Sequence, residues 1–260
     1  MEPVIKVHVH GPAGTIILNR PAKRNALSRE LIAELKQALS DLHQERRVRA
    51  VIVTGAGSAF CAGMDLAEMA ATSQLEDPLS QWHQDALDYL ELVQDMLLFP
   101  KPLVAAVVGP ALAGGAGLAL ACDIVVAGES AKFGLPEPRR GLVAGVVAPL
   151  LAFRVGAGRA GYLLLTAETI TATEAQACGL AHEIIADDKV WARAAQIAES
   201  CAASAPQSLQ LTKRLLNETI GERLGTELSI GASASATART TEAAAEGLAA
   251  FLEKRQPKWF

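Results

Sequence analysis

Two glycine-rich turns about fifty residues apart carry the strongest chemical signal in this chain. Each leads from an apolar run that reads as a strand into a run that reads as a helix. The first spans Val51 to Leu66 and contains Gly55, Gly57 and Gly63; the second spans Leu103 to Leu118 and contains Gly109, Gly114, Gly115 and Gly117. The start of a helix presents unpaired backbone N–H groups and the positive end of the helix dipole. Glycine lets a ligand come close to that backbone. Two such N–H sites converging on one point would cradle an oxyanion. The turns fit nucleotide chemistry poorly. Phe60 and Leu120 stand where the third glycine of a dinucleotide fingerprint belongs, and Asp123 follows too soon to reach a ribose. A phosphate-loop Gly-Lys-Ser/Thr is absent from the sequence.

Periodicity shows which elements must position these turns. Val4–Val9 and Gly14–Leu18 read as strands around Gly11-Pro12. Ser28 is suited to cap a helix whose apolar stripe is Leu31, Leu35, Leu39 and Leu42. Arg49–Thr54 and Leu103–Val107 read as strands, with an amphipathic helix over Trp82–Leu98 that Pro100 and Pro102 stop. Gly114–Ala121 reads as a buried helix, and Ile124–Ala127 as a strand behind it. This alternation, continuing to about Ile185, predicts a largely parallel α/β sheet system. From Trp191 onward only helices are expected, over Trp191–Ala202, Pro206–Thr219, Leu224–Ala238 and Thr241–Lys254. The alanine-rich faces of the last two must pack against the domain or another subunit.

Composition narrows the function classes. At 260 residues the chain can bury a substantial core, and with half its residues hydrophobic it is not a disordered chain. A net charge of −4 gives no basic field for nucleic acid. Lys36, Arg46 and Arg47, on the first helix and just beyond it, are interleaved with Glu34, Asp41 and Glu45, so an RNA-binding role is discounted. No run approaches the ~20 apolar residues of a membrane span. The N-terminus does not read as a signal peptide, and a cytoplasmic protein is expected. Cys61, Cys122, Cys178 and Cys201 are scattered and read as reduced core residues. The five histidines lack metal-ligand spacing, and the serines lack a nucleophile elbow, so no metal site is expected.

Further segments join the two turns in a recognisable order: Ile17-Leu18-Asn19-Arg20-Pro21 through Asn25-Ala26-Leu27, Cys122-Asp123-Ile124, Ala131-Lys132-Phe133-Gly134-Leu135-Pro136-Glu137, and Glu246-Gly247-Leu248 through Arg255. Together they resemble the crotonase (enoyl-CoA hydratase/isomerase) superfamily over nearly the whole chain. The resemblance implies an α/β fold, a crotonase-like spiral of ββα repeats carrying the CoA-thioester site over residues 1–195. A C-terminal all-helical region, residues 196–260, would build a homo-oligomer, a trimer or a dimer of trimers. It implies an oxyanion hole from the backbone N–H groups of Met64 and Gly114, and Glu137 as proton carrier. Lys23 and Arg24 would meet CoA phosphates, Ala62 and Leu66 would line the adenine pocket, and Phe251 with Lys254 would reach CoA on a neighbouring subunit. The acyl-CoA is the substrate; no cofactor, nucleic acid or membrane partner is implied.

One departure bears on the reaction. The family's hydratases carry a first glutamate three positions beyond the oxyanion glycine, where this chain has Gly117. A lone carboxylate suits shuttling one proton between two carbons, so Δ3,Δ2-enoyl-CoA isomerisation is expected. The alternative is hydration of a 2-enoyl-CoA by Glu137 alone or with a second group, such as Asp85 or Asp88 from the Trp82–Leu98 helix. A non-catalytic acyl-CoA-binding protein is the alternative of another class. On the isomerase reading, a glutamate placed at 117 is expected to add hydratase activity.

Overall fold

A computed structural model of the chain describes residues 2–217 and 223–259. Its central sheet has the order β1(Ile5–His10), β2(Ala13–Leu18), β3(Ala50–Gly55), β4(Leu103–Val107), β6(Ile124–Gly128) and β9(Glu183–Ile185). Only β1 is antiparallel, turning back on β2 with Ile5 opposite Leu18; every other neighbour is parallel. A smaller sheet pairs β5(Pro110–Leu112), β7(Lys132–Gly134) and β8(Thr169–Thr171). A parallel sheet covered on both faces needs apolar residues at every position, and Ala50-Val51-Ile52-Val53 supplies them. Val51 and Val53 join the main core, while Ala50 and Ile52 meet helix Val190–Ala202 on the opposite face. Helices α1(Arg29–Gln44), α3(Pro78–Leu98) and α4(Gly114–Ala121) supply the main core. Ser28 caps α1 as expected, its side chain accepting from Leu31 N–H at 3.2 Å.

The remaining helices are α2(Leu66–Thr72), α5(Val147–Val155), α6(Ala157–Thr166), α7(Ala172–Ala177), α8(Val190–Ala202), α9(Pro206–Leu215), α10(Leu224–Ala238) and α11(Glu242–Leu252). The helical tail expected from Trp191 is present. The Thr219 end of the helix expected over Pro206–Thr219 lies outside the described residues. Among the described residues, no helix is long and apolar enough to cross a membrane.

The small-residue faces of α10 and α11 pack on their own chain. α10 buries Leu224, Leu228, Gly231, Ala232 and Ala236. Gly231 lies against the Gly145 backbone so closely that a Cβ at either position would strike the other's carbonyl. α11 buries Ala244, Gly247 and Leu248, with Gly247 set on the Arg140 backbone. Both C-terminal helices therefore brace the loop that carries Glu137.

Candidate active site

The first glycine turn is held from below by Asn25, which is fully buried. Its Nδ2 donates to the carbonyls of Ala56, Ala59 and Phe60 at 2.9, 2.8 and 3.2 Å, and its Oδ1 accepts from Arg20 N–H at 2.9 Å. Arg20 in turn pairs with Asp65 at 3.0 Å. The Asn19–Leu27 segment thus scaffolds this loop, a role that its sequence does not disclose. At the loop's end Leu27 N–H donates to Gly63 O (2.8 Å) and Asp65 N–H donates to Leu27 O (2.9 Å). This parallel bridge uses the groups on either side of Met64 and leaves the Met64 N–H with no acceptor among the described residues.

The second turn enters α4 at Gly114, the first residue of the helix, whose N–H has no intrahelical acceptor. Ala113 before it holds φ 53°, ψ −128°, a sparsely populated conformation for a residue with a Cβ. Its N–H is anchored to Gly134 O at 2.8 Å. Gly63, at φ +89°, joins the two turns. A Cβ there would lie 2.6 Å from Ala113 Cβ, 2.9 Å from Leu112 O and 3.2 Å from Gly114 N. The first loop is thereby in contact with the helix start of the second. Gly63→Ala is expected to force the loops apart, costing about 2 kcal/mol of stability and roughly 10²-fold in kcat; urea unfolding and steady-state kinetics read the two effects.

Glu137 opens a short 3-10 turn, Glu137–Arg140, just after β7. It is only 9 % exposed, and its Oε2 is buried with no hydrogen-bond partner among the described residues. Burial pushes its carboxyl up to about 7, against smaller opposing effects from its own backbone N–H and from Arg140. A carboxyl poised there exchanges protons at neutral pH.

Glu137, Met64 and Gly114 line one cavity of about 160 Å³, well beyond the roughly 10–15 Å³ that one water needs. Arg24, Ala62, Leu66 and Phe251 line it too. Lys23 and Lys254 are exposed and do not line it. Phe251 lines the cavity of its own chain, where Arg140 stacks over its ring at 5.0 Å. The expected helper carboxylates are absent from the cavity wall. Asp85 is held by Arg29 at 2.7 and 2.8 Å, and Asp88 accepts from Gln84 at 2.8 Å on an exposed face.

The helix sends Tyr89 instead, one residue beyond Asp88. Its buried hydroxyl donates to Gly114 O at 2.7 Å. A Cβ built on Gly117 would collide with that same hydroxyl. The tyrosine therefore fills the space that a side chain at 117 would enter. Two arginines, Arg140 and Arg239, also line the cavity. Sequence reading missed Asn25, Tyr89 and Arg239 as site elements. Only Tyr89 left a signal, as a polar-tipped residue on the apolar face of α3.

The chain's α/β architecture is the crotonase fold. The family model described as enoyl-CoA hydratase/isomerase matches residues 12–260. A Thermus thermophilus chain provisionally named an enoyl-CoA hydratase is 43% identical over 249 residues, 96% of this chain and 98% of that one. The 2,3-dehydroadipyl-CoA hydratase of Escherichia coli is 37% identical, covering 93% of this chain and 92% of the relative. The crystal structure of an enoyl-CoA hydratase from Mycobacterium avium superposes with a TM-score of 0.88 at 31% identity over 100% of both chains. This chain belongs to the enoyl-CoA hydratase/isomerase family and is an enzyme of that family.

Proposed function

We propose that the chain adds water reversibly to a 2-enoyl-CoA thioester, with Glu137 as the sole proton carrier and the N–H groups of Met64 and Gly114 stabilising the enolate. The observation that carries this reading is the buried Oε2 of Glu137, without a hydrogen-bond partner among the described residues, in a residue that lines one cavity with Met64 and Gly114. The hydratase names of the relatives support water addition over the isomerisation expected from Gly117. One carboxylate suffices for the chemistry. Ionised Glu137 takes a proton from water as the water oxygen bonds to Cβ, and the π electrons move onto the thioester oxygen. The enolate then collapses as Glu137 returns that proton to Cα. A single well-placed donor to such an oxyanion is worth ~3 kcal/mol. Lys23, Arg24 and Lys254 serve the CoA phosphates in this reading, while Ala62, Leu66 and Phe251 serve its apolar parts.

A second reading, double-bond migration from a 3-enoyl-CoA, is favoured by a specific observation: among the described residues, Glu137 is the one carboxylate lining the cavity. Purified protein supplied with 2-enoyl-CoA and, separately, with 3-enoyl-CoA decides between them. Formation of 3-hydroxyacyl-CoA from the former is expected. Migration of the 3-enoyl double bond without hydration would establish the isomerase. Binding of both thioesters with turnover of neither would establish a silent acyl-CoA-binding protein.

A further inference from the structure

Arg239, directly after α10, is a cation with almost no exposure and almost no partners. It is 6 % exposed and lines the cavity together with Ser235 and with Ala86 of α3. Among the described residues, its one side-chain hydrogen bond runs from Nη1 to the Trp82 carbonyl at 3.3 Å. A guanidinium carries five N–H donors, so most of them lack an acceptor among the described residues. The nearest countercharge is already engaged: Asp85 takes a fork from Arg29 at 2.7 and 2.8 Å and a third bond from Gln81 at 2.9 Å. Asp85 thus faces two cations, Arg29 and Arg239, and its carboxylate is hydrogen-bonded to Arg29, which Glu68 and Asp88 also face. Burial lowers the Arg239 guanidinium to about 10, with Asp85 pulling the other way, so it stays charged at neutral pH.

Leaving a buried charge in this state is costly unless an anion completes it. The location indicates which anion. Tyr89 touches Gly114, where the thioester carbonyl would sit, and Trp82 lies seven residues earlier on α3, about 10 Å along the helix. Ala86, between Trp82 and Tyr89 on α3, lines the same cavity, as do the apolar Val146 and Val147.

We propose that Arg239 binds a carboxylate at the far end of the acyl group, so that the preferred substrates are acyl-CoA thioesters of dicarboxylic acids. The proposal rests on the acyl-CoA reading of this cavity but not on which reaction occurs there. Its test is therefore made on binding, with saturated thioesters that can undergo neither hydration nor migration. Isothermal titration calorimetry compares two acyl-CoAs of equal chain length, one ending in a carboxylate and one in a methyl group. The carboxylate-ended thioester is expected to bind wild-type protein about tenfold to hundredfold more tightly, the range of a charge-assisted hydrogen bond. Arg239→Gln should erase that preference while leaving the methyl-ended affinity within about twofold. Arg239→Lys, which keeps the charge but loses the planar fork, should retain part of it. Equal affinities in the wild type would overturn the proposal without any variant. A preference that survives in Arg239→Gln would also overturn it. An equal loss for both thioesters in Arg239→Gln would overturn it in favour of a CoA-phosphate contact or a scaffolding role. Failure to bind either thioester would instead sink the acyl-CoA reading itself.

Discussion

Glu137→Gln is expected to reduce turnover by roughly 10²–10⁴-fold and at the same time to make the protein more stable above neutral pH. Both effects come from one cause. The site buries the carboxyl with an unpartnered Oε2, and burial raises it from 4.5 to about 7. A raised carboxyl binds its proton more tightly in the folded state than in the unfolded one. Its stabilisation is complete below about 4.5 and is lost as pH rises through about 7. Above that pH the wild type carries a buried, poorly compensated anion, at a cost of about 3 kcal/mol. Glutamine resembles the protonated acid and escapes the penalty. Thermal unfolding should show the variant ahead of wild type at pH 8 and level with it at pH 4. The wild-type kcat/KM should climb through about pH 7, because the ionised carboxylate is the form that takes the proton. Thioester affinity should change little, since the loss lies in the transition state. A variant that keeps substantial turnover, or that is less stable than wild type at pH 8, would contradict the assignment.

How much of this was legible in the sequence follows from the range of the interactions involved. Local signals were faithful. Leu103–Val107 and Gly114–Ala121 form over the expected residues, because each is an apolar run bounded by proline or glycine. The three short strands β5, β7 and β8 were not anticipated. Each has three residues, too few for a period-2 pattern to stand out, and they form by pairing with one another across the site. The two glycine turns and Glu137, which share one cavity, were readable because they lie in contiguous motifs. Asn25, Tyr89 and Arg239 were not, because each acts through a partner far away in the chain: Ala59, Gly114 and Trp82 respectively. Asp85 misled for the same reason. Its place on the Trp82–Leu98 helix made it a candidate second group for hydration, but the fold turns it to Arg29 on a separate helix.

Placing a glutamate at 117 is expected to damage the enzyme, against the gain of hydratase activity that loop comparison alone implies. The obstacle is Tyr89. A Cβ at position 117 would collide with its hydroxyl and stand 2.9 Å from Val147 Cγ2. The tyrosine cannot simply yield, because its buried hydroxyl holds the Gly114 carbonyl at 2.7 Å and so steadies a residue that lines the cavity. Gly117→Glu therefore overpacks the site, adds a second buried anion and pulls at Gly114, the proposed oxyanion residue, together. Overpacking alone costs about 1–3 kcal/mol, and an incompletely paired polar group adds about as much. Urea unfolding should place Gly117→Glu at least about 2 kcal/mol below wild type, with activity reduced. Tyr89 and position 117 occupy one space, so the two substitutions must couple. In a Tyr89→Leu background, which removes the hydroxyl and much of the ring, the same Gly117→Glu change should cost less than half as much. That difference is a coupling of about 1–2 kcal/mol in a double-mutant cycle. Only in that background should a second carboxylate raise water addition relative to its Tyr89→Leu parent. If Gly117→Glu proves as stable as wild type, or if its cost is unchanged when Tyr89 is leucine, the tyrosine does not occupy the glutamate's place.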